Sequence, residues 1–500
     1  MMTISVSESM VGKVLDCFGN VMEDHSVHDN VDDHESFCQR PIFAPIPQVK
    51  DIALINEPLL TGTCMVDALA PIGKGQNMLI VGQEGTGERD LVLDMIKMQL
   101  ESNELKKTKV VYALASSDPV ARKSVLSALK KDDVLKDIIV VSMHESDIDD
   151  PASVSAEAVT VAGTACSIAE AFALSKGEDT LVIVDNINPH KELWNWSTRV
   201  MVDIYGVDAV VKDDIEGGAS SEMRGFYSAL IQRAGKFKKS LGDGSMTSVM
   251  LNLLPSQTFM SDSDVETVFS AEDFEYSSEK IKQRIDILVS KNIPLTPTNL
   301  RKIQIPVPEA SESEKERRLA VQHSEDLISM SDGQIWLDET LYANGQRPAL
   351  DPARSLTRVG IGADTKSRAD APALRGLVGG LRFDFAQATA VDGADANSGA
   401  DKQLLKKDAY LLAMHQESDD RRKLSENCVT LLAATMGSLN SVVEKGSKAG
   451  TKSGDEAIRN LLTYVKEVAP AAMNEIDVTL DMDGEVRKEL ENAIQAHFSS

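Results

Sequence analysis

The residue pattern with the clearest chemistry is a glycine-rich turn at positions 82–89, between a short apolar run and a helical pattern. Gly82 and Gly87 have the spacing of the G-x-x-x-x-G-K-[S/T] (Walker A) pattern, and Gly85 and Thr86 lie between them. Glycine lets the backbone turn tightly enough for its N–H groups and a helix N-terminus to face phosphate. The pattern therefore predicts an anion-binding loop of the kind that holds ATP or ADP.

The last two positions of this loop depart from the pattern. Glu88 stands where a lysine normally contacts the β- and γ-phosphates, and Arg89 stands where a hydroxyl normally binds magnesium. Two unit charges ~4 Å apart, at an effective dielectric constant of ~20, interact by about 4 kcal/mol, so the reversed charge weakens phosphate binding severely. Arg89 has the reach to turn inward and supply the missing charge, but it cannot act as a neutral magnesium ligand. We therefore expect no tight binding of Mg-ATP in the ordinary way.

A second acidic position closes an apolar strand further along the chain, where Leu181–Val184 is followed by Asp185. Phosphate-loop enzymes hold magnesium at such a strand end, through water. Asp185 is therefore a candidate metal-binding residue, the remnant of a magnesium site. The alternative is that Asp185 only caps the turn that follows.

Short β-branched runs alternate with helical patterns from about residue 54 to 250. Such alternation is typical of an α/β fold with a mainly parallel sheet and helices on both faces. The runs that predict strands are Met78–Val81, Val110–Leu114, Ile138–Val141 and Leu181–Val184. The segments with apolar residues at helical spacing are Leu91–Leu100, Val120–Leu129 and Ala156–Leu174.

Five hundred residues exceed what one hydrophobic core supports, so the chain is expected to divide into domains. Residues 1–53 predict a short strand and an acidic loop, and residues 54–370 predict the phosphate-loop type α/β domain. From residue 371 to 500, helix-forming residues dominate, which predicts an α-helical C-terminal domain.

A segment at about 257–318 interrupts the α/β pattern. It is rich in Ser, acidic residues and Pro, which predicts a mobile surface insertion with one helix near Ser278–Val289. A strand-like pattern resumes at Asp326–Leu337.

Composition narrows the class of protein. The net charge of −26 argues against a nucleic-acid partner, because contacts to phosphate backbones are made by Lys and Arg. The sequence has no uninterrupted apolar stretch of the ~18 residues that a membrane-spanning helix needs, so we expect no direct membrane insertion.

The five cysteines are scattered, without a C-x-x-C pair, which favours free thiols. The first ten residues lack the features of a targeting signal, so they do not identify a compartment.

Segments that flank the loop carry a resemblance to a known family. The chain resembles the α subunit of the F-type (rotary) ATP synthase head over most of its length from about residue 11. The segments that carry this resemblance, in chain order, are Val11–Asn20, Asn56–Gly62, Val66–Gln76, Tyr227–Ala234, Gly244–Ser248, Ser331–Leu337, Gly345–Ala349 and Ser355–Gly360.

The resemblance implies a hetero-oligomeric ring of alternating α and β subunits around a central shaft, in an enzyme that couples proton transport to ATP synthesis. In such a ring the α subunits bind nucleotide without catalysing, and each lends an arginine finger to the neighbouring β subunit. The matching position is Arg358, for which the alternative is an ordinary surface ion pair. The implied location is peripheral on an energy-transducing membrane, with the mitochondrial inner membrane favoured over plastid or bacterial membranes.

Several positions depart from the family, and they fall on the nucleotide site and the subunit contacts. The similarity starts about where the family's N-terminal β-barrel ends, so we expect that barrel to be missing. Residues that the family uses are replaced at Ser116–Ser117, Asp213–Ala219 and Ala229. The insertion at about 257–318 has no counterpart in the family. The sequence thus favours a non-catalytic, structural or regulatory α-like subunit. The alternative is an α-derived scaffold or assembly protein without bound nucleotide; an independent ATPase is disfavoured because no carboxylate stands out to activate water.

Overall fold

The structure is a computed structural model that describes residues 2–25, 36–101, 108–144, 150–206, 221–254, 279–290, 295, 323–360, 367–391 and 398–499. The chain divides into two compact units. The large unit comprises Met1–Leu253 and Ser324–Ser500, and the small unit is Leu254–His323.

The strands of the described residues lie in one large sheet and two short pairs. They are β1 (Thr3–Val6), β2 (Lys13–Leu15), β3 (Val21–Asp24), β4 (Cys38–Pro41), β5 (Pro58–Leu59), β6 (Ile72–Gly73), β7 (Asn77–Gln83), β8 (Lys109–Leu114), β9 (Ile139–Ser142), β10 (Asp179–Val184), β11 (Gly235–Lys236), β12 (Ser245–Leu254), β13 (Gly333–Trp336) and β14 (Leu356–Thr357).

Within the described residues the large sheet has ten strands, in the order β14-β13-β7-β12-β10-β8-β9-β2-β3, with β11 paired to β12. The pairs β13–β7, β12–β10, β10–β8, β8–β9 and β9–β2 are parallel. The edge pairs β13–β14 and β2–β3 are antiparallel. The mainly parallel sheet predicted from the sequence is confirmed.

Helices cover the sheet and form the C-terminal region. In the large unit they are α1 (Cys64–Leu69), α2 (Glu88–Glu101), α3 (Pro119–Lys131), α4 (Pro151–Ala171, continued as a π-helical turn at Phe172–Lys176), α5 (Asn188–Tyr205), α6 (Ser221–Ile231), α9 (Glu339–Ala343), α10 (Pro372–Val378), α11 (Leu381–Val391), α12 (Ser398–Met414), α13 (Leu424–Thr435), α14 (Asn440–Glu444), α15 (Lys452–Val468), α16 (Pro470–Thr479) and α17 (Gly484–Ser499). Helix α7 (Glu279–Ser290) belongs to the small unit, and residues 323–330 form α8.

The central strands are buried on both faces because helices pack on each side. Successive side chains of a strand point to opposite faces. Ile80, Tyr112 and Ile183 belong to one apolar core together with α1, α2 and the C-terminal helices. On the opposite face, α4 packs against β8, β9 and β10. The helices on both faces and the helical C-terminal region agree with the sequence-based fold class.

Helix α4 begins with a side-chain cap and ends at a left-handed glycine. The Asp150 carboxylate accepts a hydrogen bond from the Ser153 N–H, and Pro151 occupies the first helical turn. The π-helical turn ends at Gly177, with φ 68°, where a Cβ atom would lie 2.2 Å from the carbonyl oxygen of Gly242. Pro151–Lys176 is long and apolar enough to cross a membrane, but 83% of its most apolar 18-residue stretch is buried inside the protein. It is therefore the central core helix of the fold.

One sequence-based assignment is wrong in part. The segment Asp326–Leu337 was expected to be strand-like throughout, but only Gly333–Trp336 forms a strand and residues 323–330 are helical. Ser324 and Leu327 are buried, and their spacing of three residues places them on one side of the helix. One of the two is polar, so the apolar pattern did not reveal the helix.

The helix predicted near Ser278–Val289 is confirmed as α7. Apart from 279–290 and Leu295, the predicted insertion lies outside the described residues, as does the loop at Asp213–Ala219. The domain boundaries given by the sequence stay predictions.

A buried ionic network ties the N-terminal segment to α4 and the end of α6. Glu170 accepts hydrogen bonds from Arg233 Nε at 2.7 Å and from Arg40 Nη2 at 2.7 Å. Arg233 also donates to the Ile42 carbonyl and to the Ser167 hydroxyl. Burial alone would lower the pKa of Arg233, but the adjacent Glu170 carboxylate raises it above its usual value. The Arg233 guanidinium is therefore charged within the core.

The substitution Glu170→Ala is expected to reduce the free energy of unfolding by about 3 kcal/mol, because it leaves buried guanidinium charge without its partner. Urea unfolding followed by circular dichroism measures this loss. The matched control is Lys136→Ala, which removes an exposed ion pair with Asp133 and is expected to leave the urea midpoint unchanged. Equal midpoints for both variants would show that the network does not stabilise the fold.

Candidate functional site

The predicted phosphate loop connects the end of β7 to the start of α2. Gly85 and Gly87 have φ values of 88° and 90°, a region that residues with a Cβ atom rarely adopt. The Thr86 hydroxyl donates a hydrogen bond to the Gln83 carbonyl at 2.8 Å and closes the turn. At Gly82 a Cβ atom would lie 3.0 Å from Leu337 Cβ and from Thr86 Oγ1. The glycines and Thr86 singled out from the sequence therefore shape the loop.

Glu88 is the first residue of α2, and its side chain folds back into the loop. It is 2% exposed, and its Oε1 accepts a hydrogen bond from the Gly85 N–H at 3.0 Å. Its Oε2 is buried and has no hydrogen-bond partner among the described residues. A helix N-terminus carries partial positive charge, which favours a carboxylate there. The position that the pattern reserves for lysine thus holds an anion that binds an amide of the loop.

Arg89 lies against the end of β10. Its Nε is 3.4 Å from Asp185 Oδ1, and its Nη1 donates to Glu84 Oε1 at 3.1 Å. Burial would lower the pKa of Arg89, but the carboxylates of Asp185 and Glu84 raise it above its ordinary value. The conformation in which Arg89 turns inward to replace the missing lysine is not the one observed.

Asp185 is fully buried, with an exposed fraction of 0%. Its Oδ1 also accepts a hydrogen bond from the Tyr112 hydroxyl at 3.0 Å, and its Oδ2 has no partner among the described residues. Burial raises the pKa of Asp185, although the charge of Arg89 and the hydrogen bond from Tyr112 act against this rise. The pKa of Tyr112 lies well above its usual value, mainly because of burial and then because of Asp185, so the phenol stays protonated.

The alternative role of Asp185 as a turn cap is not observed. The Asn188 N–H that follows the strand donates instead to the side chain of Asn186, at 2.9 Å. The Asp185 side chain is committed to Arg89 and Tyr112. The structure therefore brings together Glu88, Arg89 and Asp185 at one edge of the sheet, where β7 and β10 end.

The residues present do not fit Mg-ATP or Mg-ADP bound in the usual way. Magnesium requires several oxygen ligands at short distance, whereas Asp185 Oδ1 already has the Arg89 guanidinium 3.4 Å away. Phosphate requires inward N–H groups and a cation, whereas the Gly85 N–H is bonded to a carboxylate. Within the described ranges, no group of three or more His, Cys, Asp or Glu side chains is arranged to hold a metal ion.

A pocket of about 240 Å³ opens beside the loop. The Tyr342 ring faces Gly87, and the Arg347 guanidinium stacks 3.5 Å from the ring centroid. The carboxylates on its wall are those of Asp90, Asp94, Glu417 and Asp420. This acidic wall disfavours a phosphorylated ligand there.

Arg358 is exposed beyond the end of β14, the edge strand of the described sheet, which β13 separates from the loop strand β7. Its Nη1 donates to the Ser331 carbonyl at 3.1 Å, and its N–H donates to the Asp332 carbonyl at 2.7 Å. The structure therefore does not join Arg358 to the Glu88–Arg89–Asp185 group. Its guanidinium is presented on the outside of the unit.

Sequence reasoning missed Tyr112, which completes the surroundings of Asp185. The available signal was a tyrosine in β8, whose other buried residues are aliphatic. A buried Tyr hydroxyl normally finds a hydrogen-bond partner, and the end of the neighbouring strand was the nearest place to look for one.

The sheet, the glycine turn after β7 and the acidic end of β10 define a class: phosphate-loop nucleotide-binding α/β proteins, here with an altered loop. Residues 62–273 match the family described as "ATP synthase alpha/beta family, nucleotide-binding domain". Three relatives named "ATP synthase subunit alpha" align with 98% of this chain and with 79% of their own length. They come from Acetivibrio thermocellus, Clostridium botulinum (strain Eklund 17B / Type B) and Aquifex aeolicus, with identities of 23%, 24% and 23%. These similarities support an α-like protein of the F-type ATP synthase: the family match covers residues 62–273, and the likeness to α subunits extends over nearly the whole chain.

The substitution Arg89→Ala is expected to destabilise the protein by about 3 kcal/mol at pH 7, because it leaves the Asp185 carboxylate buried without a counter-charge. The ion pair exists only while Asp185 is ionised, and the folded-state pKa of Asp185 is raised. The loss is therefore expected to shrink as the pH falls from neutral towards the ordinary aspartate pKa of ~4. Urea unfolding at pH 7 and pH 5 measures the difference.

The control for this prediction is the double variant Arg89→Ala, Asp185→Asn, which removes the buried charge as well. Its stability relative to the wild-type protein is expected to depend far less on pH. The same loss for Arg89→Ala at both pH values would contradict the assignment of the ion pair.

Proposed function

We propose that this protein is a non-catalytic, structural or regulatory α-like subunit of the head of a proton-driven ATP synthase. The observation that carries the proposal is similarity to proteins named "ATP synthase subunit alpha" across 98% of the chain, including the helical C-terminal region. The altered loop supports the non-catalytic part, because Glu88 and Arg89 provide neither the lysine nor the metal ligand that ATP hydrolysis needs.

The partners in this proposal are β-type subunits of the head and its central shaft. The location is peripheral on an energy-transducing membrane, without insertion of this chain into the bilayer. The reported relatives are bacterial, so the mitochondrial inner membrane stays a prediction from the sequence resemblance alone. The acidic surface, with a net charge of −26, suits protein partners better than nucleic acid.

Arg358 is proposed to act on a neighbouring β-type subunit. It is exposed near an edge of the sheet; its backbone N–H donates to the Asp332 carbonyl, and one guanidinium nitrogen, Nη1, donates to the Ser331 carbonyl. A guanidinium that reaches across an interface stabilises the negative charge that builds up on a transferring phosphoryl group. Bound nucleotide in this subunit is not required for that role.

The second candidate is an α-derived scaffold or assembly factor that binds β-type subunits without nucleotide. Two observations favour this candidate. The Glu88 carboxylate already accepts the Gly85 N–H within the loop, and Leu254–His323 form a small unit of their own. The two proposals differ in stoichiometry. A head subunit is expected in a fixed, near-equimolar ratio to β in the intact enzyme, whereas an assembly factor is expected only in subcomplexes.

The experiment is affinity purification of the tagged full chain from its source, followed by native gel separation and quantitative mass spectrometry. A fixed ratio to β-type subunits in the intact synthase supports the proposed function. Recovery only in subcomplexes supports the scaffold. Recovery without any β-type subunit would refute both.

In the purified complex, Arg358→Ala is expected to slow ATP hydrolysis about a thousandfold at the catalytic sites that this chain contacts. This factor is the lower end of the range of rate losses for removal of an arginine finger. Arg358→Lys is expected to give little recovery, because lysine lacks the planar fork of donors. The matched control is Arg354→Ala, which removes an exposed arginine that stacks on Trp336 in the same segment. If Arg358→Ala and Arg354→Ala have the same activity and the complex is intact, Arg358 is not used in trans.

A further inference from the structure

We propose that Glu88 and Arg89 are internal substitutes for the phosphate and the magnesium of a bound nucleotide. In this view the loop is self-liganded: the Glu88 carboxylate fills its anion position, and the Arg89 guanidinium fills the cation position at Asp185. The loop keeps its closed shape without nucleotide. The inference concerns the chain by itself and does not depend on its assembly with other subunits.

The Glu88 carboxylate lies at the anion position of the loop. Backbone N–H groups in a left-handed glycine turn form a concave anion site, and a helix N-terminus adds positive potential. Glu88 Oε1 lies 3.0 Å from the Gly85 N–H, inside that turn, and the side chain is almost completely buried. A carboxylate attached to the first residue of α2 therefore reaches a donor that a bound phosphate would otherwise use.

The Arg89 guanidinium lies at the cation position beside Asp185. Asp185 is fully buried, so its negative charge requires a positive partner nearby. The Arg89 guanidinium supplies it from 3.4 Å, while Tyr112 holds the same carboxylate oxygen. A second carboxylate, that of Glu84, binds the other side of the guanidinium.

The two replacements are complementary. Absence of the phosphate alone would leave the anion position of the loop empty, and absence of the metal alone would leave Asp185 as an unpaired buried charge. The Glu88 carboxylate supplies a negative group at the Gly85 amide. The Arg89 guanidinium supplies a positive group at Asp185. An incoming phosphate would have to displace Glu88 against like-charge repulsion, which weakens binding by about a thousandfold.

The first test uses the purified full chain and inorganic pyrophosphate as the probe, with thermal unfolding as the readout. Glu88→Ala is expected to lower the melting temperature by a few degrees, because the Gly85 N–H loses its acceptor. Pyrophosphate is expected to recover most of that loss, since it can enter the vacated position. The wild-type protein and Glu444→Ala, which removes an exposed carboxylate from helix α14, are expected not to respond. If Glu88→Ala does not fold, Glu88→Gln takes its place, with a response in the same direction.

The second test is titration calorimetry with Mg-ADP on the same full chain. The double variant Glu88→Lys, Arg89→Thr restores the pattern and is expected to bind at least about a hundredfold more tightly than the wild-type protein. Micromolar binding of Mg-ADP by the wild-type protein would overturn the inference, and so would equal stabilisation of wild-type and Glu88→Ala by pyrophosphate. None of these results depends on β-type subunits, so they leave the proposed assembly role to be judged separately.

Discussion

The ion pair between Arg89 and buried Asp185 is the interaction on which the site depends. A carboxylate with no solvent exposure is tolerated only when a cation and hydrogen-bond donors surround it. The parallel sheet brings these groups together, because β7 and β10 both end at the edge where phosphate-loop proteins bind their ligand. With Arg89 held at Asp185, the loop cannot recruit that guanidinium for phosphate, and Glu88 is left in contact with the Gly85 amide.

The remainder of the fold does not rely on a ligand at the loop. The sheet is covered on one face by α4, which the Glu170–Arg233 network anchors to the N-terminal segment. On the other face, Gln416 links the C-terminal helical region to the loop before α1 through the Gly62 carbonyl and the Cys64 N–H. These contacts join the sheet, the N-terminal segment and the C-terminal helices without any ligand at the loop.

Local patterns predicted much of this structure. The aliphatic runs of β7, β8, β9 and β10 specify strands by themselves, and the glycine spacing predicted the loop. The direction in which Arg89 turns was not predictable, because it depends on Asp185 and Tyr112, which are distant in sequence and meet only in the sheet. The pairing of β1 with β4 was missed for the same reason, and α8 was missed because its buried side is partly polar.

The most direct measurement is the nucleotide content of the full chain purified under native conditions and separated from all other subunits. Acid extraction followed by chromatography quantifies ADP and ATP per chain, and elemental analysis quantifies magnesium. The expected result is neither nucleotide nor magnesium in a fixed ratio to protein, because Glu88 already binds the Gly85 amide and Arg89 already pairs with Asp185 Oδ1. One retained ADP or ATP per chain would contradict it, and would mean that these side chains move aside for a ligand.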